Sequence, residues 1–338
     1  MNIKKVAEHA KVSTATVSRL INKTSYISPE TAKKVWAAIE ELGYYPNITA
    51  RGLASGRSLL LGLIVSDIVN PFFPELVKSF EECAVEKGYE IITANTNYDP
   101  ARTAMRVRRL IERRVDGVAV MTSEMDQSLI DELSTRGIPI VFLDTGEIQE
   151  NISNIRIDYE QGISEAVNHL LELGHCRIGF ISGPLDLKSA KIRRSAFLKF
   201  LRQKGIIEKK ELVTTGNHKI SGGKAAMNRL LELKERPTAV LASNDLTAIG
   251  ALQALRTHGL RVPQDISLIG FDDIVLAEST DPPLTTVNIS RVKVGESAFK
   301  SLYELINGET EFGTEVLVET TLVIRESTAR PFLSDKQQ

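Results

Sequence analysis

The chain lacks most of what would make it a disulfide-held, membrane-spanning or metal-dependent protein. Only two cysteines, Cys83 and Cys176, stand among 338 residues, far apart in different predicted elements. They form neither a C-x-x-C pair nor a ligand spacing, so two free buried thiols in a reducing cytoplasm are expected. The five histidines are scattered, which gives a metal site no support. No apolar run approaches the roughly 18 residues that a spanning helix needs, and nothing resembles a signal peptide, so a cytoplasmic location is expected. Enzyme motifs are also missing. There is no G-x-S-x-G and no G-x-G-x-x-G after the first strand beyond residue 58. Ser221-Gly222-Gly223-Lys224-Ala225 hints at a phosphate loop, but His218 holds the place of its first glycine and Ala225 that of its Ser or Thr. The chain is therefore read as no enzyme, with no cofactor beyond a small-molecule effector.

Net charge is nearly absent as well, with 42 basic and 43 acidic residues, but this balance is uneven along the chain. Residues 1–58 hold nine Lys or Arg and four Glu; the remainder holds 33 basic and 39 acidic residues. A basic head on an acidic body implies that only the head touches phosphate.

The head reads as three helices. Asn2 can cap the first, with Val6, Ala7 and Ala10 on its apolar face. A tight turn at Lys11-Val12 leads to Ser13, which caps the second, Thr14 to Asn22. The third starts at Ser28-Pro29-Glu30, a cap, a first-turn proline and an acid. Ala32, Val35, Trp36, Ile39 and Leu42 keep its helical spacing, and Gly43 ends it in the left-handed conformation. Two short helices around a tight turn and braced by a third make a helix-turn-helix, whose second helix enters a major groove. Its exposed face offers Thr14, Ala15, Thr16, Ser18 and Arg19, the last able to fork onto guanine. The competing reading is a generic three-helix cap; the charge of the head favours DNA.

After Tyr45-Pro46, the stretch from Asn47 to Arg57 allows about two helical turns, too few to be stable alone. Gly52 weakens them further, and a plain tether is the alternative. Here the chain resembles the LacI/GalR family of bacterial transcription regulators. Val6-Ala7, the run from Val12 to Arg19, Asn22, and the N-x-x-A-R-x-L pattern from Asn47 to Leu53 carry the resemblance. It implies that residues 47–57 fold as a hinge helix when a dimer sits on its operator. It also implies that Leu53 wedges into the minor groove and kinks the duplex, and that Asn22, Asn47 and Arg51 join the DNA-facing set. Lys11 departs from the glycine often found at the turn, which strains it slightly.

Beyond residue 58, short apolar runs alternate with amphipathic helices in two series, the pattern of an α/β fold with doubly wound parallel sheets. Strands are read at 59–66, 89–94, 117–121, 139–143, 177–181, 212–215, 239–242 and 266–271. Helices are read at 74–88, 100–114, 127–136, 159–173, 188–204, 221–234, 245–258 and 294–306. Two lobes with ligand-binding strand ends facing each other form a cleft that closes by a hinge. The divisions expected are a head at 1–46, a linker at 47–57 and a core at 58–338. Within the core, one lobe spans about 58–158 and 290–320, the other about 159–289 and 321–332.

This body is similar to the periplasmic sugar-binding proteins, and that likeness marks Asn70, Phe72, Phe73, Asp144, Arg193, His218, Asn244 and Asp272 as effector contacts. Carboxylates, amides and one arginine at strand ends suit vicinal hydroxyls, with aromatic rings for a sugar's C–H face. Taken singly, each such Asp or Asn is as well explained as a cap or turn residue. The segments 259–267 and 281–287 look like loop signatures of the family. Ile289, Thr145 and His218 replace residues common in sugar-binding relatives, so an unmodified ribose site is not expected. The reading is a ligand-responsive repressor, a homodimer on a near-palindromic operator with a sugar or sugar derivative as effector; a nucleobase or phosphorylated metabolite stays open. The alternative is a cytosolic sugar sensor or carrier with an idle head. No leucine heptad in 294–306 or after Arg330 points to a coiled-coil tetramer.

Overall fold

The structure, a computed structural model, describes residues 2–22, 25–44, 57–122 and 125–331. The chain divides into two compact units, Met1–Leu59 and Leu60–Gln338.

In the first unit, α1 (Ile3–His9), α2 (Thr14–Asn22) and α3 (Pro29–Glu41) begin where side-chain oxygens accept orphan backbone N–H groups. Lys5 N donates to Asn2 Oδ1 at 3.1 Å, Thr16 N to Ser13 Oγ at 3.0 Å and Thr31 N to Ser28 Oγ at 3.4 Å. Lys11 turns the chain between α1 and α2 with φ at +53°, a left-handed position that glycine fills without cost. Val6, Ala7, Ala10, Val17, Val35 and Ala38 form the buried centre, with Leu20, Ile21 and Ile39 half-buried around it. Trp36 departs from the expected apolar face and is 51% exposed. It stands about 100° around the helix from Val35, on the shoulder of the packed stripe rather than within it.

The second unit holds two six-stranded sheets. The first contains β1 (Leu60–Val65), β2 (Glu90–Asn95), β3 (Gly117–Met121), β4 (Ile140–Leu143), β5 (Ile152–Ile157) and β11 (Glu315–Val318), in the order β11-β5-β4-β3-β1-β2. The second contains β6 (Ile178–Ser182), β7 (Val213–Thr215), β8 (Ala239–Ala242), β9 (Ser267–Asp272), β10 (Thr285–Ile289) and β12 (Thr320–Val323), in the order β12-β10-β9-β8-β6-β7. Every pairing is parallel except β10 with β12. The helices α4 (Phe72–Glu86), α5 (Pro100–Glu112), α6 (Gln127–Thr135) and α12 (Arg291–Ile306) cover the first sheet. On the second lie α7 (Tyr159–Glu172), α8 (Lys188–Gln203), α9 (Ile220–Leu231) and α10 (Asp245–Thr257), followed by the short α11 (Val275–Glu278). The chain passes between sheets three times: from β5 into α7, from β10 into α12, and from β11 to β12 across Glu319.

Four strands were not expected from the sequence. β5 carries Ser153, Asn154 and Arg156 and shows no apolar run, because the buried Ser153 and Asn154 accept backbone bonds from Thr314 N and Gly146 N. β10 occupies part of the segment read as a loop signature; Thr285 and Thr286 are fully buried there and hydrogen-bonded, Thr286 Oγ1 donating to Asp245 Oδ1 at 2.5 Å. β11 and β12 are separated only by Glu319, with no turn residue to mark a boundary, and Glu315, Thr320 and Thr321 interrupt their apolar residues. The phosphate-loop hint at 221–225 lies inside α9. Its glycine there has a packing role: a Cβ on Gly223 would come within 2.1 Å of Thr247 O, and one on Gly250 within 2.0 Å of Ile220 O, so both allow α9 and α10 to touch backbone to backbone. The two thiols are free, but neither is buried as expected: Cys83 is half-buried and Cys176 exposed. Among the described residues, no helix is long and apolar enough to cross a membrane, and no group of His, Cys, Asp and Glu could hold a metal.

Candidate functional site

The exposed face of the head lies on α2. Thr14, Ala15 and Arg19 are exposed, Thr16 and Ser18 are half-buried, and Val17 points into the core. Ala15 and Arg19 stand one turn apart and share a face. The Thr16 hydroxyl lies 2.9 Å from Ser13 Oγ, so it stiffens the N-terminal cap as well as facing outward. Asn22 is the last residue of α2. Asn47, Arg51 and Leu53 lie outside the described residues.

A second site sits where the carboxyl ends of the two sheets meet, the place where open α/β sheets bind ligands. Asn70, Phe72 and Phe73 reach it from the β1–α4 turn, and Asp144 from the end of β4. Arg193 comes from α8, His218 from the β7–α9 turn, Asn244 from the end of β8 and Asp272 from the end of β9. All eight line one cavity of about 80 Å³. Sequence reasoning missed several of the cavity's residues, among them Tyr98, Thr122, Tyr159, Leu187 and Ser189. Tyr159 and Ser189 sit in the first turns of α7 and α8, and Tyr98, Thr122 and Leu187 in connecting segments, where no periodicity marks a residue as facing the cleft.

The polar groups differ in how much of their capacity is free. Asn70 Oδ1 accepts from Phe72 N at 3.1 Å, and Asn244 Oδ1 caps α10 by accepting from Thr247 N at 2.9 Å. Asn244 Nδ2 donates to His218 O at 3.2 Å, fixing the loop that carries the imidazole. These two amides thus play the local capping role as well. Asp144 accepts from Ile157 N at 2.9 Å and from Tyr159 Oη at 2.7 Å. Arg193 lies beneath them with its guanidinium 4.5 Å from the Tyr159 ring centre and 4.8 Å from that of Phe271. One of its nitrogens donates to Ser243 O, and Nη1 is 3.8 Å from Asp272 Oδ1.

Burial governs the charges here. It lifts Asp144 above the usual carboxylate range, against the hydrogen bonds from Ile157 and Tyr159 and the nearby Arg193. It lifts Asp272 to about 6, against the pull of Arg193 and Arg291. His218 is pushed down to about 3 by burial and by Arg193, so its ring is neutral. Burial opposes the Arg193 charge, yet Tyr159, Asp272 and Asp144 around it hold the guanidinium above its ordinary value. One permanent cation thus faces two carboxylates that burial makes reluctant to ionise.

Two further marks distinguish this cavity from a packed core. Arg193 Nε and His218 Nε2 are buried without a hydrogen-bond partner, which native interiors rarely tolerate unless a ligand or water completes them. Asp144, His218 and Asp272 all have positive φ, at +64°, +58° and +107°. Backbone strain of this kind, of order 1–3 kcal/mol per residue, gathers at ligand clamps. A tie across the lobes adjoins the cavity. Arg291, the first residue of α12, pairs with Glu75 of α4 at 2.5 Å and also donates to the backbone carbonyl of Asp272.

Comparison with known proteins identifies the family of the chain. Residues 2–47 match the family described as bacterial regulatory proteins, lacI family, and residues 167–328 match a periplasmic binding protein-like domain. The HTH-type transcriptional repressor PurR of Klebsiella pneumoniae is 37% identical over 329 residues, covering 97% of this chain and 96% of that protein. The lac repressor dimer bound to operator and the anti-inducer ONPF superposes with a TM-score of 0.87 at 31% identity, covering 97% of this chain and 99% of that one. A regulator from Enterococcus faecium with bound ribose gives a TM-score of 0.73 at 28% identity, over 81% of this chain and 100% of that one.

Proposed function

This chain belongs to the lacI family of bacterial regulatory proteins, and from that premise we propose that it is a repressor whose grip on DNA is set by a neutral, polyhydroxylated effector of monosaccharide size. The coarse function follows from the family: a ligand-responsive DNA-binding transcription repressor and no enzyme.

The observation that carries the effector class is the makeup of the interlobe cavity. The cavity, of about 80 Å³, is lined by two carboxylates, two amides, one arginine, one imidazole and two phenylalanine rings. Asp144 and Asp272 can accept from ligand hydroxyls, and the free Arg193 Nε can donate to one. His218 Nε2 serves as donor or acceptor, and Phe72 and Phe73, stacked edge to face, offer an apolar wall. A phosphorylated metabolite would set two negative charges beside Asp144 and Asp272, and Arg193, the cation among the described lining residues, is already engaged by Asp272 and by Ser243 O. The Enterococcus faecium neighbour with ribose in its structure supports the same class.

Two protomers place two recognition helices on two half-sites of one operator, and this assembly works in the cytoplasm; the lac repressor neighbour is likewise a dimer bound to operator. Thr14, Ala15 and Arg19 read base edges. Leu53, with Asn47 and Arg51 beside it, couples to the bend of the central step. Effector binding alters closure of the lobes and thereby the readiness of the linker to coil. A coupling of about 1–3 kcal/mol suffices to switch operator occupancy.

A thermal-shift panel of pentoses, hexoses, their phosphates and purine bases tests the effector class. A free pentose or hexose is expected to raise the melting temperature most. A purine or a sugar phosphate that does so while every neutral sugar fails would refute it.

A further inference from the structure

The body beyond residue 58 is acidic on average, yet α5 and the two residues after it carry Arg102, Arg106, Arg108, Arg109, Arg113 and Arg114 against a single acid, Glu112. Thr103, Val107 and Leu110 are its buried residues. Arg102, Arg108, Arg109, Arg113 and Arg114 are exposed, and Arg106 is half-buried. Among the described residues, only Arg102 of these six forms an ion pair, with Asp99 at 3.6 Å. Elsewhere on the body, exposed arginines such as Arg156, Arg202 and Arg256 are matched by a carboxylate. A helix that keeps four exposed cations unmatched within two turns accepts their mutual repulsion, which an external polyanion would relieve.

The place of the cluster indicates which polyanion. Asp116 N, just past Arg113 and Arg114, donates to Leu60 O at 2.8 Å. Leu60 is the first residue of β1, the point at which the chain enters this unit from the linker. The last turn of α5 therefore lies at the end of the sheet from which the linker departs, opposite the effector cleft. Acids at this end include Glu90, in register with Leu60, Asp116, and Glu112 in the last turn of α5 itself. Fifteen residues lie between Tyr44, the last described residue of the head, and Leu60, a stretch of chain that reaches at most about 50–60 Å when fully extended. Duplex DNA held by the head is thus tethered within reach of this surface, at high local concentration.

We infer that the arginine face of α5, chiefly Arg108, Arg109, Arg113 and Arg114, is a sequence-independent contact for the phosphate backbone of duplex DNA beside the site read by the head. The inference rests on the DNA-binding reading above. It adds a second phosphate-binding surface, on the effector body, to the one on α2. Such contacts position a duplex without reading it, and each one made releases counterions.

The test uses the full chain and an operator obtained by in vitro selection, with binding followed by fluorescence anisotropy between 50 and 300 mM salt. The variant R108Q/R109Q/R113Q/R114Q is compared with R202Q/K204Q/K209Q/K210Q, which removes the same charge from exposed positions on the other lobe. For the α5 variant, the slope of log affinity against log salt is expected to shrink by about 0.9 per lost phosphate contact. Its affinity for selected and random duplex should fall by the same factor, while the control keeps the wild-type slope. Equal slopes for wild type and both variants, or equal small losses in both variants, overturn the inference while leaving the DNA-binding reading intact. If the wild-type chain selects no DNA at all, both fall.

Discussion

Single residues decide whether the cavity can answer to a ligand at all. Asp272 is the clearest case. With its pKa lifted to about 6, it is ionised above that value and protonated below. Because the folded value lies above the ordinary 3.8, the stability Asp272 contributes is fully present below about pH 4 and is lost as pH rises through about 6. Ligand binding runs the other way. A hydroxyl donates best to the carboxylate, so effector affinity is expected to be flat above pH 6 and to fall about tenfold per unit below it. Calorimetric titration from pH 5 to 8 checks this, and Asp272→Asn should remove the dependence along with most of the affinity. An unchanged profile in that variant assigns the proton to another group. Lys11 offers a test of the head. Its left-handed φ of +53° costs about 1–2 kcal/mol relative to glycine, partly offset by glycine's freer unfolded chain. Lys11→Gly is expected to raise the stability of the head by up to about 1 kcal/mol, seen as a shift in its melting midpoint.

At the scale of elements, α2 and α12 act on different partners. Arg19 stands exposed on α2 one turn from Ala15. Arg19→Ala should weaken operator binding by about 1–3 kcal/mol and relax preference at one base pair in each half-site, as read by repeating the DNA selection. A variant that keeps its selected sequence unaltered would remove Arg19 from base readout. In α12, Arg291 holds Glu75 of one lobe and the Asp272 carbonyl of the other. Arg291→Gln keeps a donor but loses the ion pair. It is expected to leave DNA affinity of the ligand-free protein within about threefold while reducing the change that effector produces. Parallel anisotropy titrations with and without effector separate these two quantities. Elements with strong apolar periodicity were legible in the sequence: α4 through α10 and β1 through β4 sit within three residues of their expected places. β5 and β10 were not, because their buried Ser153, Asn154, Thr285 and Thr286 look polar in sequence and become satisfied only by distant partners such as Thr314, Ser327 and Asp245.

For the molecule as a whole, the fold class and the two-lobed plan were readable because the βα alternation occurs twice. The three passages between the lobes were not readable from periodicity, since each is a one-residue step, at Asp158, Ser290 and Glu319. The eight cavity residues could be named from the family resemblance, whereas Tyr159 needed the folded geometry, its hydroxyl on Asp144 and its ring under Arg193. Charge shows the opposite failure: a count over the whole body hides the arginines of α5, which only their shared exposed face brings together. The account rests centrally on coupling between the cavity and the DNA-reading head. The most direct measurement is the dissociation constant for a selected operator, taken with saturating neutral pentose or hexose and without, in wild type and in Asp272→Asn. Wild type should change by about 5- to 150-fold, in either direction, and the variant by less than twofold. An operator affinity that no neutral sugar alters, while a charged metabolite or a purine alters it in wild type and variant alike, would contradict the account.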